Sequence, residues 1–190
     1  MSPTYFQDQK FSNINFIDKP LSKGEYDGCQ FLNCNFSSIK LSHYRFLDCK
    51  FVNCNLSLVK TDKTAFIEVK FSECKMLGIR FDSCESIGLD FSFDNCQLAN
   101  SSFYNLKIKK TKFSNCNLQH VDFGSTDLSG ATFENCDLGQ AIFENTILEK
   151  ANFSTAYNFS IDPENNKIKK ARFSLNGLSG LLGKYDLIIE

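Results

Sequence analysis

The 190-residue chain has no tryptophan, three prolines and two histidines, and each shortage closes off a class of protein. With so little proline, and no stretch dominated by serine, glycine or one sign of charge, no linker is marked, so one domain over residues 1–190 is expected. The two histidines, His43 and His120, stand far apart, and no Cys–His or Ser–His pairing is suggested. A glycine-rich phosphate loop, a CxxC pair and any metal-ligand spacing are all missing, so the expectation is no enzyme, no cofactor and no metal. Long apolar runs are absent too: Met1 to Lys10 is not a secretory leader, and no segment reaches the ~20 apolar residues of a membrane span. A cytoplasmic location without membrane contact follows as the expectation. Charge of one sign is also lacking, since 21 basic and 22 acidic residues leave a net charge of −1. Lysines do cluster at Lys107, Lys109, Lys110 and Lys112 and again at Lys167, Lys169, Lys170 and Arg172. At near-zero net charge the expected surface is nevertheless a compensated one, and direct nucleic-acid binding is not expected.

What the chain has in abundance is phenylalanine, twenty in all. Nine of them, Phe11, Phe31, Phe51, Phe71, Phe93, Phe113, Phe133, Phe153 and Phe173, recur at a spacing of about one coil, which is the mark of a solenoid. Within that spacing a large apolar residue returns every fifth position, as in Phe31, Phe36, Leu41, Phe46, Phe51 and Leu56. The beat lapses at Thr61, and between Glu85 and Phe93 it slips by two residues. A period of five matches neither the 3.6 of a helix nor the 2 of a strand, so the chain must turn a corner every five residues, and four corners close a coil. At about 4.8 Å per coil, eight steps from Phe11 to Phe173 give a rod ~38 Å long.

The position two before each large residue is small, and all nine cysteines occupy it: Cys29, Cys34, Cys49, Cys54, Cys74, Cys84, Cys96, Cys116 and Cys136. Cysteine behaves there as a small buried hydrophobe, and the odd count argues against a disulfide framework. Just before several of them stand Asn33, Asn53, Asn95, Asn115 and Asn135. Asparagine in such a series suits corners, where it tolerates turn conformations and bonds nearby backbone.

Stretches such as Cys116-Asn117-Leu118, Thr126-Asp127-Leu128, Cys136-Asp137-Leu138 and Ala151-Asn152-Phe153-Ser154 resemble the repeat of the pentapeptide-repeat family, over about residues 4 to 178. The resemblance implies an all-β fold, a right-handed quadrilateral β-helix with the large central residue and the small preceding one inside. Beyond the coils, Leu178 to Glu190 reads as a short helical turn and an apolar tail. That ending is similar to the terminal segment through which Qnr-type members join end to end. It implies a homodimer interface at Leu178, Leu181, Leu182, Tyr185, Leu187, Ile188 and Ile189, within a capping segment over 178–190. Qnr-type proteins engage a type II topoisomerase, DNA gyrase, and protect it from quinolones, so the resemblance implies a non-catalytic binding solenoid with that partner. The alternative is a scaffold for a different protein, for which Leu32, Leu47, Val52, Ile67 and Ile87, apolar in slots that usually face water, form a candidate partner patch.

Overall fold

A chain that turns every five residues needs a backbone conformation that L-residues seldom adopt, and asparagine is among the few that accept it. The computed structural model describes residues 4–185 and Leu187. In it Asn33, Asn53, Asn95, Asn115 and Asn135 hold φ between 50 and 53° at equivalent corners, and Glu73 takes the same place at 55°. The amides also bond along the stack: Asn53 Nδ2 donates to Asn33 Oδ1 at 2.9 Å, and Asn135 Nδ2 to Asn115 Oδ1 at 3.2 Å.

Four such sides close each coil, and the coils stack in parallel into a β-solenoid of about eight turns. The first side is centred on Phe6, Tyr26, Phe46 and Phe66 and, past the slip, on Ile108, Leu128, Leu148 and Ile168. The second carries the nine-phenylalanine column. Phe16, Phe36 and Leu56 begin the third side, and Leu21, Leu41 and Thr61 begin the fourth. Strands are short because corners interrupt them. Those of the early first side, Thr4–Gln7, Gly24–Asp27, Arg45–Leu47 and Ala65–Ile67, form a four-stranded sheet. Along the second side a nine-stranded sheet runs from Lys10–Ser12 to Arg172–Phe173. The first coil therefore begins by Thr4. The segment before Gly24 is part of the ladder, with Phe6 stacked on Tyr26 at 4.6 Å.

The parallel register places like on like, and the core is built from that. Ring centroids down the phenylalanine column lie 4.6 to 5.3 Å apart with planes within 23° of parallel. Rings from the fourth side meet this column edge-on, as Phe103 meets Phe113 at 5.8 Å and 86°, so stacked and T-shaped contacts alternate through the interior.

The small slot asks for more than small size. Cys54 Sγ donates to the Phe31 carbonyl at 3.3 Å, Thr64 Oγ1 to Leu41 at 2.7 Å and Thr126 Oγ1 to Phe103 at 2.7 Å. Each bond ties a side chain to the carbonyl of the preceding coil, which explains why cysteine, threonine and serine share the slot. Thr61, the lapse in the beat, is buried and satisfied in the same spirit, donating to the Arg80 carbonyl at 2.6 Å. All nine cysteines are free and buried. Burial pushes the thiols of Cys49 and Cys84 up to about 12.

The register slip is a short loop. Glu85 N–H still bonds the Thr64 carbonyl and Asp90 N–H bonds Phe66, both at 2.9 Å, while Ser86 to Leu89 leave the ladder between them. This ends the four-stranded sheet and removes the large residue the first side would supply there. Phe91 fills the space from the neighbouring small slot, paired in register with Val69 and packed against Phe81 at 5.3 Å.

Candidate partner-binding surfaces

Outward residues in a parallel solenoid form columns, so the surface is read side by side. In residues 81–149 the only lysines or arginines are Lys107, Lys109, Lys110 and Lys112; the first three lie on the first side, and Lys112 on the second, in the column of Lys50 and Lys70. The other three sides of those coils carry Asp94 and Glu134 on the second, Asp137 on the third, and Asp122 and Glu144 on the fourth. Asp162 and Glu164 continue the acidic run into the last coil. Asp137 is held firmly ionised. Its partial burial works to raise the pKa, but bonds from Asn158, Gln119 and the Gly139 N–H outweigh it and lower the value below the ordinary carboxylate range. Along residues 113–148 these three sides thus carry acids and no base.

The candidate patch divides into two columns. Leu32 and Val52 pair in register on the second side, and Leu47 and Ile67 pair on the first. All four are half-buried, whereas Ile87, on the slip loop, is 80% exposed. Gly88 of that loop lies against Ile67, which brings Ile87 next to the end of the Leu47–Ile67 column.

At the C-terminal end, Ser174 caps a 3-10 helix, Leu175–Leu181, by accepting from Gly177 N–H at 3.1 Å, and a second short turn spans Gly183–Tyr185. The segment lies on its own last coil. Gly180 offers its carbonyl to Ile161 N–H at 2.8 Å, and its α-carbon is so close to Phe159 that a side chain there would collide with the ring. Lys184 bridges Asp162 at 2.9 Å and Glu164 at 2.6 Å, which lowers both carboxyl pKa values. Leu181 packs against the core and Leu182 is half-buried, while Leu178, Tyr185 and Leu187 are exposed. Ile188 and Ile189 lie outside the described residues.

His43 and His120 are both exposed at corners with positive φ, on different sides. Among the described residues no three His, Cys, Asp or Glu side chains gather into a metal-holding group, and no helix is long and apolar enough to cross a membrane.

Square coils of five-residue sides, with a small and a large residue facing in, define a pentapeptide-repeat solenoid. Residues 89–173 match the family model for the pentapeptide repeat region, and the same beat and ladder continue back to the first coil. Over those residues the chain matches the pentapeptide-repeat family. Its fold is like that of QnrB1, a plasmid-mediated fluoroquinolone resistance protein. A trypsin-treated form aligns over 100% of this chain and 92% of that one, with a TM-score of 0.71 and 14% identity. HetL, a pentapeptide repeat protein involved in heterocyst differentiation regulation from Nostoc sp. strain PCC 7120, aligns over 93% of this chain and 89% of its own. Its TM-score is 0.41 and its identity 15%. No curated protein sequence matches the chain.

Proposed function

We propose that this protein is a non-catalytic binding solenoid that engages a type II topoisomerase, DNA gyrase, and protects it from quinolones. The acidic run on the second, third and fourth sides carries the reading. A rod of stacked coils with acids and no bases along those sides of residues 113–148 presents negative charge along its length. That is the electrostatic character by which a protein rod could occupy a surface built for duplex DNA. Likeness in fold to QnrB1, a fluoroquinolone resistance protein, supports the same choice of partner. Supercoiling by purified gyrase, titrated with this protein with and without a quinolone, tests it. Restored supercoiling in the presence of drug is expected, and a titration without inhibition or protection would refute the reading.

A scaffold for a different protein partner is the second reading, favoured by the exposed Ile87 next to the end of the Leu47–Ile67 column. We further propose that two chains join end to end through Leu178, Tyr185 and Leu187, which stay exposed after the tail has covered the last coil. Truncation before Tyr185 should then halve the mass measured by light scattering, and an unchanged mass contradicts the pairing. Nine free buried thiols suit a reducing compartment, and we place the protein in the cytoplasm.

A further inference from the structure

One corner of the tower reverses its charge at the slip. Where the first side turns into the second, the left-handed position of the four early coils holds Asp8, Gly28, Asp48 and Glu68. The same position in the four late coils holds Lys110, Gly130, Lys150 and Lys170. All eight share positive φ, from 44 to 70°, so they are equivalent places in one column, with the slip loop halfway. The first side as a whole follows suit. Before the slip it shows five acids against Arg45, and Arg45 is itself paired with Glu25 at 2.8 Å. After the slip it shows seven lysines against Asp127 and Glu149.

From this column we infer that the first side is a self-complementary surface on which a second copy of the chain lies antiparallel, about a twofold axis through the slip loop. A twofold along the strand direction reverses the rod while keeping each column opposite itself. Asp8 then faces Lys170 of the other copy, Glu68 faces Lys110, and Gly28 and Gly130 leave room for the longer side chains opposite. In the column that precedes the inward residues Arg45 falls opposite Asp127, whereas in the adjacent column the pairing sets Asp27 opposite Glu149, one like-charge contact among the complementary ones. On the axis the exposed Ile87 meets its own counterpart, an apolar contact between charged arms. Lys10, Lys50 and Lys70 belong to the second side, around the corner, and do not oppose the pairing.

A polyanion on the late lysines is the competing occupant, but it gives no role to the acids in the matching positions or to Ile87. One side of a rod ~38 Å long and ~16 Å wide covers about 600 Å² per copy. This sits at the low end of specific interfaces. The pair is therefore weak, concentration-dependent and sensitive to salt. It uses residues distinct from the end-to-end pairing, and a chain making both contacts assembles beyond two copies. The readout is accordingly a ratio of masses.

Sedimentation of the full chain at low salt tests the inference with two surface variants, D8K/D48K/E68K and K110E/K150E/K170E. Each alone should lower the mass about twofold, as should high salt on the parent chain. An equimolar mixture of the two variants should restore it, since one has an all-basic and the other an all-acidic column. Rescue on mixing also excludes misfolding as the cause of the loss. Masses that do not change on charge reversal, or that do not recover in the mixture, overturn the pairing. Salt-sensitive heparin retention lost only in the lysine variant, at constant mass, would overturn it in favour of the polyanion.

Discussion

Phe113→Ala should destabilise the fold by about 3–5 kcal/mol, the cost of deleting a buried phenylalanine from a site that cannot close up. The ring is 0% exposed, stacked between Phe93 at 5.2 Å and Phe133 at 5.1 Å, with Phe103 and Phe123 meeting its edges at 5.8 and 5.9 Å. Relaxation into the void is resisted from two directions. Backbone bonds in the nine-stranded sheet fix the spacing of the coils, and each neighbouring ring is held by a further ring beyond it. An exposed aromatic makes the control: Tyr104→Ala, at a side chain 51% exposed, should stay within about 0.5 kcal/mol. Denaturant midpoints of the two variants check this, and a loss below about 1 kcal/mol for Phe113→Ala would show that the stack is loose.

Alkaline pH should destabilise the protein, because burial holds the thiols of Cys49 and Cys84 in their neutral form. For Cys49 and Cys84 burial raises the folded pKa from 9.0 to about 12. Below pH 9 both states hold the proton and the contribution to stability is complete. Above pH 9 the unfolded thiols ionise while the folded ones do not, so stability falls steadily until about pH 12. At pH 11 each of these two residues should cost about 2.7 kcal/mol. Cys29 and Cys34, shifted in the same direction by burial, add to the slope. Denaturant midpoints at pH 8 and 11 measure the loss, which should be clearly smaller in C49A/C84A than in the parent chain. An equal loss in both would mean that these thiols are not held neutral.

The fold could be read from the sequence because a period of five is incompatible with any other regular arrangement, and because the parallel register repeats each side chain over its own kind. Phe31, Phe51 and Phe71 announce their column without help from a neighbouring element. The hydrogen-bonding role of the small slot was hidden, since Cys54 and Thr64 look merely compact until the carbonyl of the preceding coil is placed beside them. Phe91 was hidden for a related reason: it is large in a small slot, and the space it fills exists only because Ser86 to Leu89 leave the ladder. The binding surfaces were least legible. A net charge of −1 averages over four sides, and only the coil geometry shows that Lys110 and Lys170 share a column with Asp8 and Glu68, while Asp122, Asp137 and Glu144 stand on sides whose lysines, such as Lys40, Lys60 and Lys75, all precede the slip. A helical turn after the last coil was legible, read from Leu178 where the structure starts it at Leu175, but its hold on Phe159 depends on where Gly180 comes to lie.

That the five-residue beat turns one small and one large side chain of every pentapeptide into the tower is tested most directly by counting thiols that react with a small disulfide reagent at pH 8. The folded protein should show none of its nine on the timescale of minutes, and all nine should appear once denaturant is added. Several cysteines of the folded chain reacting at the rate of a free thiol would contradict the account.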